Sequence, residues 1–209
     1  MTSPKKPAGR VRGRPARSPE QIADMRAHIA TCALKLFLRD GYAAISMRGL
    51  AQAAGCTAMT LYQYYDSKFA ILSTLWAVVF NRLFDALNHI AATEVDPRSR
   101  LQAVALGYVS YWLENREHYF LVFMSGGVSQ IEVSGFVSGN ESLARFDLLR
   151  SSLRATLSDE ATTRDVRVKT ELLLCLLNGI AHNLITIGGY PWADPEILVR
   201  QGIDGLLAA

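Results

Sequence analysis

The most pointed chemistry in the sequence lies between residues 46 and 68, where hydroxyl, aromatic and cationic side chains gather around Gly55-Cys56-Thr57. A tight turn containing glycine lets one short helix cross another at a steep angle. A DNA major groove admits one such helix, and its side chains then meet base edges. Ala51 is small where the two helices would cross, and Leu61 and Tyr65, one turn apart, anchor the second helix. That leaves Ala58, Met59, Thr60, Tyr62, Gln63 and Tyr64 facing outward. The chemistry expected is the reading of a duplex rather than the making of a bond.

Nothing elsewhere in the sequence competes with that reading. His28, His89, His118 and His182 are scattered, and Cys32, Cys56 and Cys175 form no CxxC pair. No metal-ligand spacing, nucleophile–base pattern or Gly-rich phosphate loop is present, so no enzyme activity, metal or cofactor is expected. Charge points the same way. Residues 1–70 hold 11 Lys/Arg against 4 Asp/Glu, whereas residues 71–209 hold 11 against 15. A basic head on a mildly acidic body suits a polyanionic partner for the head. Residues 1–17, with three Pro and no acid, are expected to be a disordered basic arm. Within them Arg12-Gly13-Arg14-Pro15 resembles the core of an AT-hook, which lies in a narrow minor groove. The alternative is a generic basic tail that adds affinity by counterion release alone.

The segment around the turn resembles the TetR (tetracycline-repressor) family over roughly residues 25–75. The matching residues are Ala33, Leu36-Phe37, Gly41-Tyr42, Ser46-Met47-Arg48, Leu50-Ala51, Ala54-Gly55, Thr57, Leu61-Tyr62, Tyr64-Tyr65 and Ser67-Lys68. The resemblance implies that Ser46 and Arg48 contact phosphate and nearby bases, and that Thr57 caps the reading helix and donates to phosphate. It implies that Ala58, Met59 and Thr60 face bases, that Tyr62 and Tyr64 touch phosphate or sugar, and that Lys68 pairs with phosphate. Two residues depart from the pattern: Met59 stands where Gly is common and Phe69 where an acid is common. Ala58 and Met59 make no bidentate base contact, so thymine methyls and shape would carry their readout.

The elements that must position these residues are helices. Ser18-Pro19-Glu20-Gln21 has the form of a capping box with Pro at the first helical position, and Gly41 supplies the far cap. Ser46, Thr57 and Asp66 are expected to cap the next three helices, the last running to about Ala92. Further helices are expected from Asp96-Pro97, over 115–125, over Leu143–Leu157, from Thr162 to about Ile187, and from Asp194-Pro195. Residues 126–138, with Gly126-Gly127 and Gly135, read as a loop or a short extended piece. The fold class is therefore all-α, about nine helices. A helix-turn-helix DNA-binding domain at 18–66 follows the arm, and a larger bundle for ligand binding and dimerisation covers 67–209.

The body is rich in aromatic residues. Most must fill its core, but some can line a cavity between helices, where apolar ligands commonly sit. The family resemblance implies a small-molecule effector. Trp76, Phe80, Phe84, Tyr108, Trp112, Phe123 and Phe146 are the candidate lining, with Met124, Asn178, His182 and Asn183 for softer or polar contacts. The effector expected is small and apolar. The helix near 162–187 is apolar on more than one face, so it and the last helix are expected to pair in a homodimer. Two reading helices about one DNA turn or more apart would then require a palindromic operator. No secretory signal is apparent, and runs such as Leu172–Leu177 fall well short of the ~20 residues of a membrane span, so a cytoplasmic protein is expected. Repression relieved by ligand is what family habit implies. A constitutive DNA binder, and a helical carrier or enzyme with an incidental basic tail, are the alternatives.

Overall fold

In the computed structural model, which describes residues 18–139 and 144–208, the chain is all-helical, with ten helices and no strand among the described residues. The basic arm and the start of the expected 143–157 helix lie outside these residues.

The head is three helices: α1 (Pro19–Asp40), α2 (Met47–Ala53) and α3 (Ala58–Tyr62). Each begins where a side chain can take an otherwise unpaired backbone N–H. Ser18 and Gln21 form the capping box of α1, Ser46 accepts from Gly49, and Thr57 accepts from Thr60. α1 ends at Gly41, whose φ of 80° suits glycine, and Gly55 at φ 66° makes the bend between α2 and α3. Ile29, Ala33 and Phe37 of α1 close over Leu50, Ala51 and Leu61, all of them buried.

α4 (Lys68–Thr93) belongs to both halves. Its cap is Ser67, accepting from Ala70, one residue later than the expected Asp66. Its first turns pack on α1, and its remainder packs on α5 (Pro97–Glu114). Asp96 caps α5 by accepting from Ser99, and Pro97 takes the first helical position. A Cβ on Gly107 of α5 would stand 2.6 Å from Ile90 Cδ1, so glycine is what lets α4 and α5 approach this closely.

α5 is the axis of the body. Around it lie α4, α6 (Arg116–Phe123), α8 (Asp147–Arg154), α9 (Thr163–Thr186) and α10 (Pro195–Ala208). α9 opens on a Thr162–Asp165 capping box. Both α4 and α9 are long and apolar enough by composition to cross a membrane, which the short unbroken apolar runs do not suggest. α4 buries nine side chains in the core, whereas α9 buries five and leaves the rest of its length half-buried or exposed.

The structure corrects the reading of 126–138 as a loop. Residues Gln130–Gly139 form a helix, α7. Ser129 and Glu132 start it reciprocally: Glu132 N donates to Ser129 Oγ at 3.2 Å, and Ser129 N donates to Glu132 Oε2 at 2.9 Å. The expected helix over 143–157 is shorter where described, covering Asp147–Arg154.

Candidate nucleic-acid interface

α3 is only five residues long, so it cannot persist by its own hydrogen bonds. Neighbours hold it. Leu61 is fully buried, and Cys56 N donates to Ala51 O at 2.9 Å across the turn. Tyr65 is buried just beyond α3; its hydroxyl donates to Arg26 O at 3.2 Å, and the Arg26 guanidinium lies 4.3 Å over its ring. Arg26 Nη1 also donates to Tyr64 O at 2.5 Å. His28 Nε2 meets Ala54 O at 3.3 Å, so α1 grips the chain both before the turn and after α3.

The outward side of α3 presents Met59, which is 79% exposed, and Tyr62, which is 51% exposed. Thr57 and Gln63 are exposed beside them, while Ala58 and Thr60 are half-buried. The Thr57 and Thr60 hydroxyls share a hydrogen bond of 2.9 Å. Ser46 and Arg48 are exposed at the start of α2. These residues supply hydroxyls, one guanidinium and two large apolar or aromatic surfaces. The arrangement can donate to phosphate and press methyl and ring surface against base edges.

Two residues expected in this interface are placed elsewhere. Tyr64 is 5% exposed and packs in the head core, because the chain turns after α3 with Gln63 N donating to Thr60 O. Lys68 points into the loop between α1 and α2, where Nζ donates to Tyr42 O at 2.7 Å and Ile45 O at 2.8 Å. The same ammonium lies 4.1 Å from the Tyr42 ring centroid. Burial lowers its pKa, and the nearby Glu132 carboxylate opposes that shift. Lys68 is thus a tie that sets the loop carrying the Ser46 cap. Arg12 and Arg14 lie outside the described residues.

The expected ligand-binding residues fall into two linked aromatic groups. Trp76, Phe80, Phe84 and Phe146 form the first, with Phe84–Phe146 and Phe80–Phe146 centroids 4.6 and 5.6 Å apart. Trp112, Tyr108 and Phe123 belong to the second, joined to the first through Phe80–Trp112 at 6.4 Å. Asn178 accepts from the Tyr108 hydroxyl at 2.8 Å, and His182 Nδ1 meets the Tyr119 hydroxyl at 2.7 Å. Burial raises the pKa of both tyrosines, so they stay neutral hydroxyls. Trp112 Nε1 is buried near the Tyr108 oxygen without meeting hydrogen-bond geometry. Phe123 and Met124 are exposed, and Met124 lines a cleft of about 250 Å³ between α1 and the end of α6. Sequence reasoning missed Phe136, whose ring meets Trp76 at 5.2 Å.

Residues 29–75 match the family model described as bacterial regulatory proteins, tetR family. Over those residues the head is similar to the DNA-binding region of the TetR family. The match runs from the middle of α1 into the second turn of α4, and so takes in the whole turn region. Among curated relatives, the transcriptional activator FasR of Mycolicibacterium smegmatis is 27% identical over 133 residues. That alignment covers 64% of this chain and 59% of FasR, so the chain spans about six-tenths of that relative's length. Beyond this TetR-type head the likeness is one of fold. The crystal structure of the protein SCO4313 superposes with a TM-score of 0.71 at 16% identity, covering 93% of this chain and all of that one. The regulator FadR from Bacillus subtilis, solved in complex with stearoyl-CoA, gives 0.68 at 16% identity over 87% of this chain and 97% of FadR.

Proposed function

We propose that the chain is a TetR-type transcriptional regulator that binds a palindromic operator as a homodimer and is released from it by a small apolar effector. The observation that carries the DNA-binding part is the clamped α3 with Met59 and Tyr62 turned outward beside Thr57, Ser46 and Arg48. Residues 18–66 are the reading domain, residues 67–209 the effector and dimer domain, and residues 1–17 a basic arm. In that arm Arg12 and Arg14 add minor-groove or counterion-release affinity.

The pairing surface is the uncovered side of α9 and α10. Val168, Leu172 and Ile197 are exposed there, and a groove of about 290 Å³ runs among Leu176, Ile180, Leu184, Trp192 and Leu198. A second copy of the same two helices is what an isologous interface would lay over it. Such a dimer sets two α3 helices about 34 Å or more apart, one turn of DNA or a multiple.

The effector site is assigned to the aromatic groups of the body. Phe80 bridges them, and the Tyr108 and Tyr119 hydroxyls with Asn178 and His182 supply the polar atoms at their edge. Stearoyl-CoA in the FadR crystal structure is consistent with a small-molecule site in this fold. Ligand entry would tilt α4, which starts in the head and ends in the body. Repression then follows from operator occupancy without ligand, and a bias of a few kcal/mol between the two states is enough.

Sedimentation and DNA titration test this together. The full chain is expected to sediment as a dimer and to enrich a palindromic duplex from a random pool, and Leu172→Glu is expected to give a monomer with lost duplex affinity. A monomeric wild type, or a monomeric variant that holds the same duplex equally well, would overturn the dimer reading.

A further inference from the structure

α7 is attached to the rest of the molecule in an unusual way. Eight of its ten residues are exposed, Glu132 is half-buried and Phe136 alone is buried. Apolar Ile131 is 85% exposed and Val137 is 55% exposed, so they contribute nothing to attachment. The hydrogen bonds that define the helix are local, from its Ser129–Glu132 cap and from Ser138 to Ser134. Gly135, Gly139 and three β-branched residues give it poor helix propensity, and ten residues are too few for an isolated helix to persist in water.

The one buried ring occupies a specific seat. Phe136 stands edge-on to Trp76 at 5.2 Å and 78°, and lies nearly parallel to Phe80 at 6.3 Å and 29°. Behind Phe80 come Phe146 and Trp112. A seat walled by one parallel ring and one edge fits a flat ring better than a flexible alkyl chain, because stacked and edge contacts are lost on an aliphatic guest. The segment that leads into α7 touches the head. Gly127, just before α7, is so placed that a Cβ would stand 3.1 Å from Ala43 Cβ. Glu132 acts electrostatically on Lys68 and Tyr42, the pair that sets the loop before Ser46.

We propose that Phe136 is a built-in occupant of the effector site, and that the effector is a planar aromatic molecule that takes the place of its ring and frees α7 from the body. This deepens, and rests on, the effector-responsive reading above. With the ring expelled, α7 no longer holds Gly127 against Ala43, and the Glu132 charge is no longer kept near Lys68 and Tyr42. The loop that presents Ser46 and Arg48 loses that support, and duplex affinity falls.

The test uses the full chain with two probes, indole as the ring and decanoate as the alkyl chain. Phe136→Ala empties the seat, so indole is expected to bind this variant at least tenfold more tightly than wild type and to raise its melting temperature. Decanoate is expected to show no such gain. Equal indole affinity in the two proteins, or an equal gain for decanoate, overturns the assignment of the seat and its ring selectivity. Should Phe136→Ala not fold, hydrogen exchange on wild type decides: indole is expected to speed exchange of the amides of 130–139 while sparing α5, and unchanged α7 exchange overturns the proposal. Ile131→Ser, on the exposed side of α7, is the control and is expected to match wild type. Duplex affinity, measured in parallel, separates the two readings. Selective indole binding with no DNA binding under any condition would sink the regulator and leave the seat, whereas DNA binding with no indole effect would sink the seat alone.

Discussion

α3 and α7 are both short helices at the edge of the molecule, yet they are held in opposite ways. α3 and the turn after it bury Leu61, Tyr64 and Tyr65, and α1 adds Arg26 and His28 contacts from across the head. α7, twice as long, buries one ring. Local stability follows buried contacts and long-range hydrogen bonds rather than helix length. The helix assigned to reading is therefore fixed, as pre-organised recognition requires. The helix over the aromatic cluster is free to leave, as an element that answers a ligand must be.

The comparison is open to attack from its strongest side first. Leu61→Ala removes the central anchor of α3 and should cost about 2–5 kcal/mol in urea unfolding, with loss of duplex binding. Lys68→Met should come next, at about 1.5–3 kcal/mol, because it deletes two charged hydrogen bonds to the Tyr42 and Ile45 carbonyls. It should leave the slope of affinity against salt unchanged, because the ammonium serves the loop; a slope lowered by about one unit would return Lys68 to the phosphate. Phe136→Ala should cost only about 1.5–2 kcal/mol, below the ~3–5 typical of a buried Phe, because α7 can detach instead of framing a rigid cavity. A full cavity penalty there would erase the contrast between the two helices. Arg48→Ala should leave stability within about 0.5 kcal/mol and lower the salt slope by about one unit.

The smallest effect expected is on pH. Burial lowers the pKa of His118, whose Nδ1 meets the Tyr111 hydroxyl at 3.1 Å. The unfolded chain binds the proton more readily, so the contribution is full above the ordinary value of 6.5 and is lost as pH falls from there through the lowered folded value. Tryptophan emission reports this body event cleanly, since Trp76, Trp112 and Trp192 all lie outside the head. His118→Gln should flatten the acid side of that profile.

How much of this was legible follows from how local each signal is. Ser18, Ser46, Thr57, Asp96 and Thr162 announce helix starts because a cap is made within three residues of itself. The same rule applied to Ser129 and Glu132 would have found α7, but Ile131, Val133 and Val137 and the neighbouring glycines spoke for strand or loop. Within the candidate site, the outward placing of Met59 and Tyr62 follows from their spacing to Leu61 and Tyr65. The positions of Tyr64 and Lys68 are not legible in the same way, because they depend on a turn after α3 and on two loop carbonyls more than twenty residues away. No periodicity carries that information. Nor does it carry which of many aromatics is the proposed plug: that needed the exposure of all of α7 except Phe136 and half-buried Glu132.

The most direct measurement is selection of duplexes from a random pool by the wild type, Met59→Gln and Arg48→Ala, each as the full chain. The account predicts a palindrome enriched by the wild type, a different half-site sequence for Met59→Gln, and the wild-type sequence at lower yield for Arg48→Ala. If Met59→Gln recovers the wild-type sequence unchanged, or the wild type enriches nothing, α3 is not the reading helix.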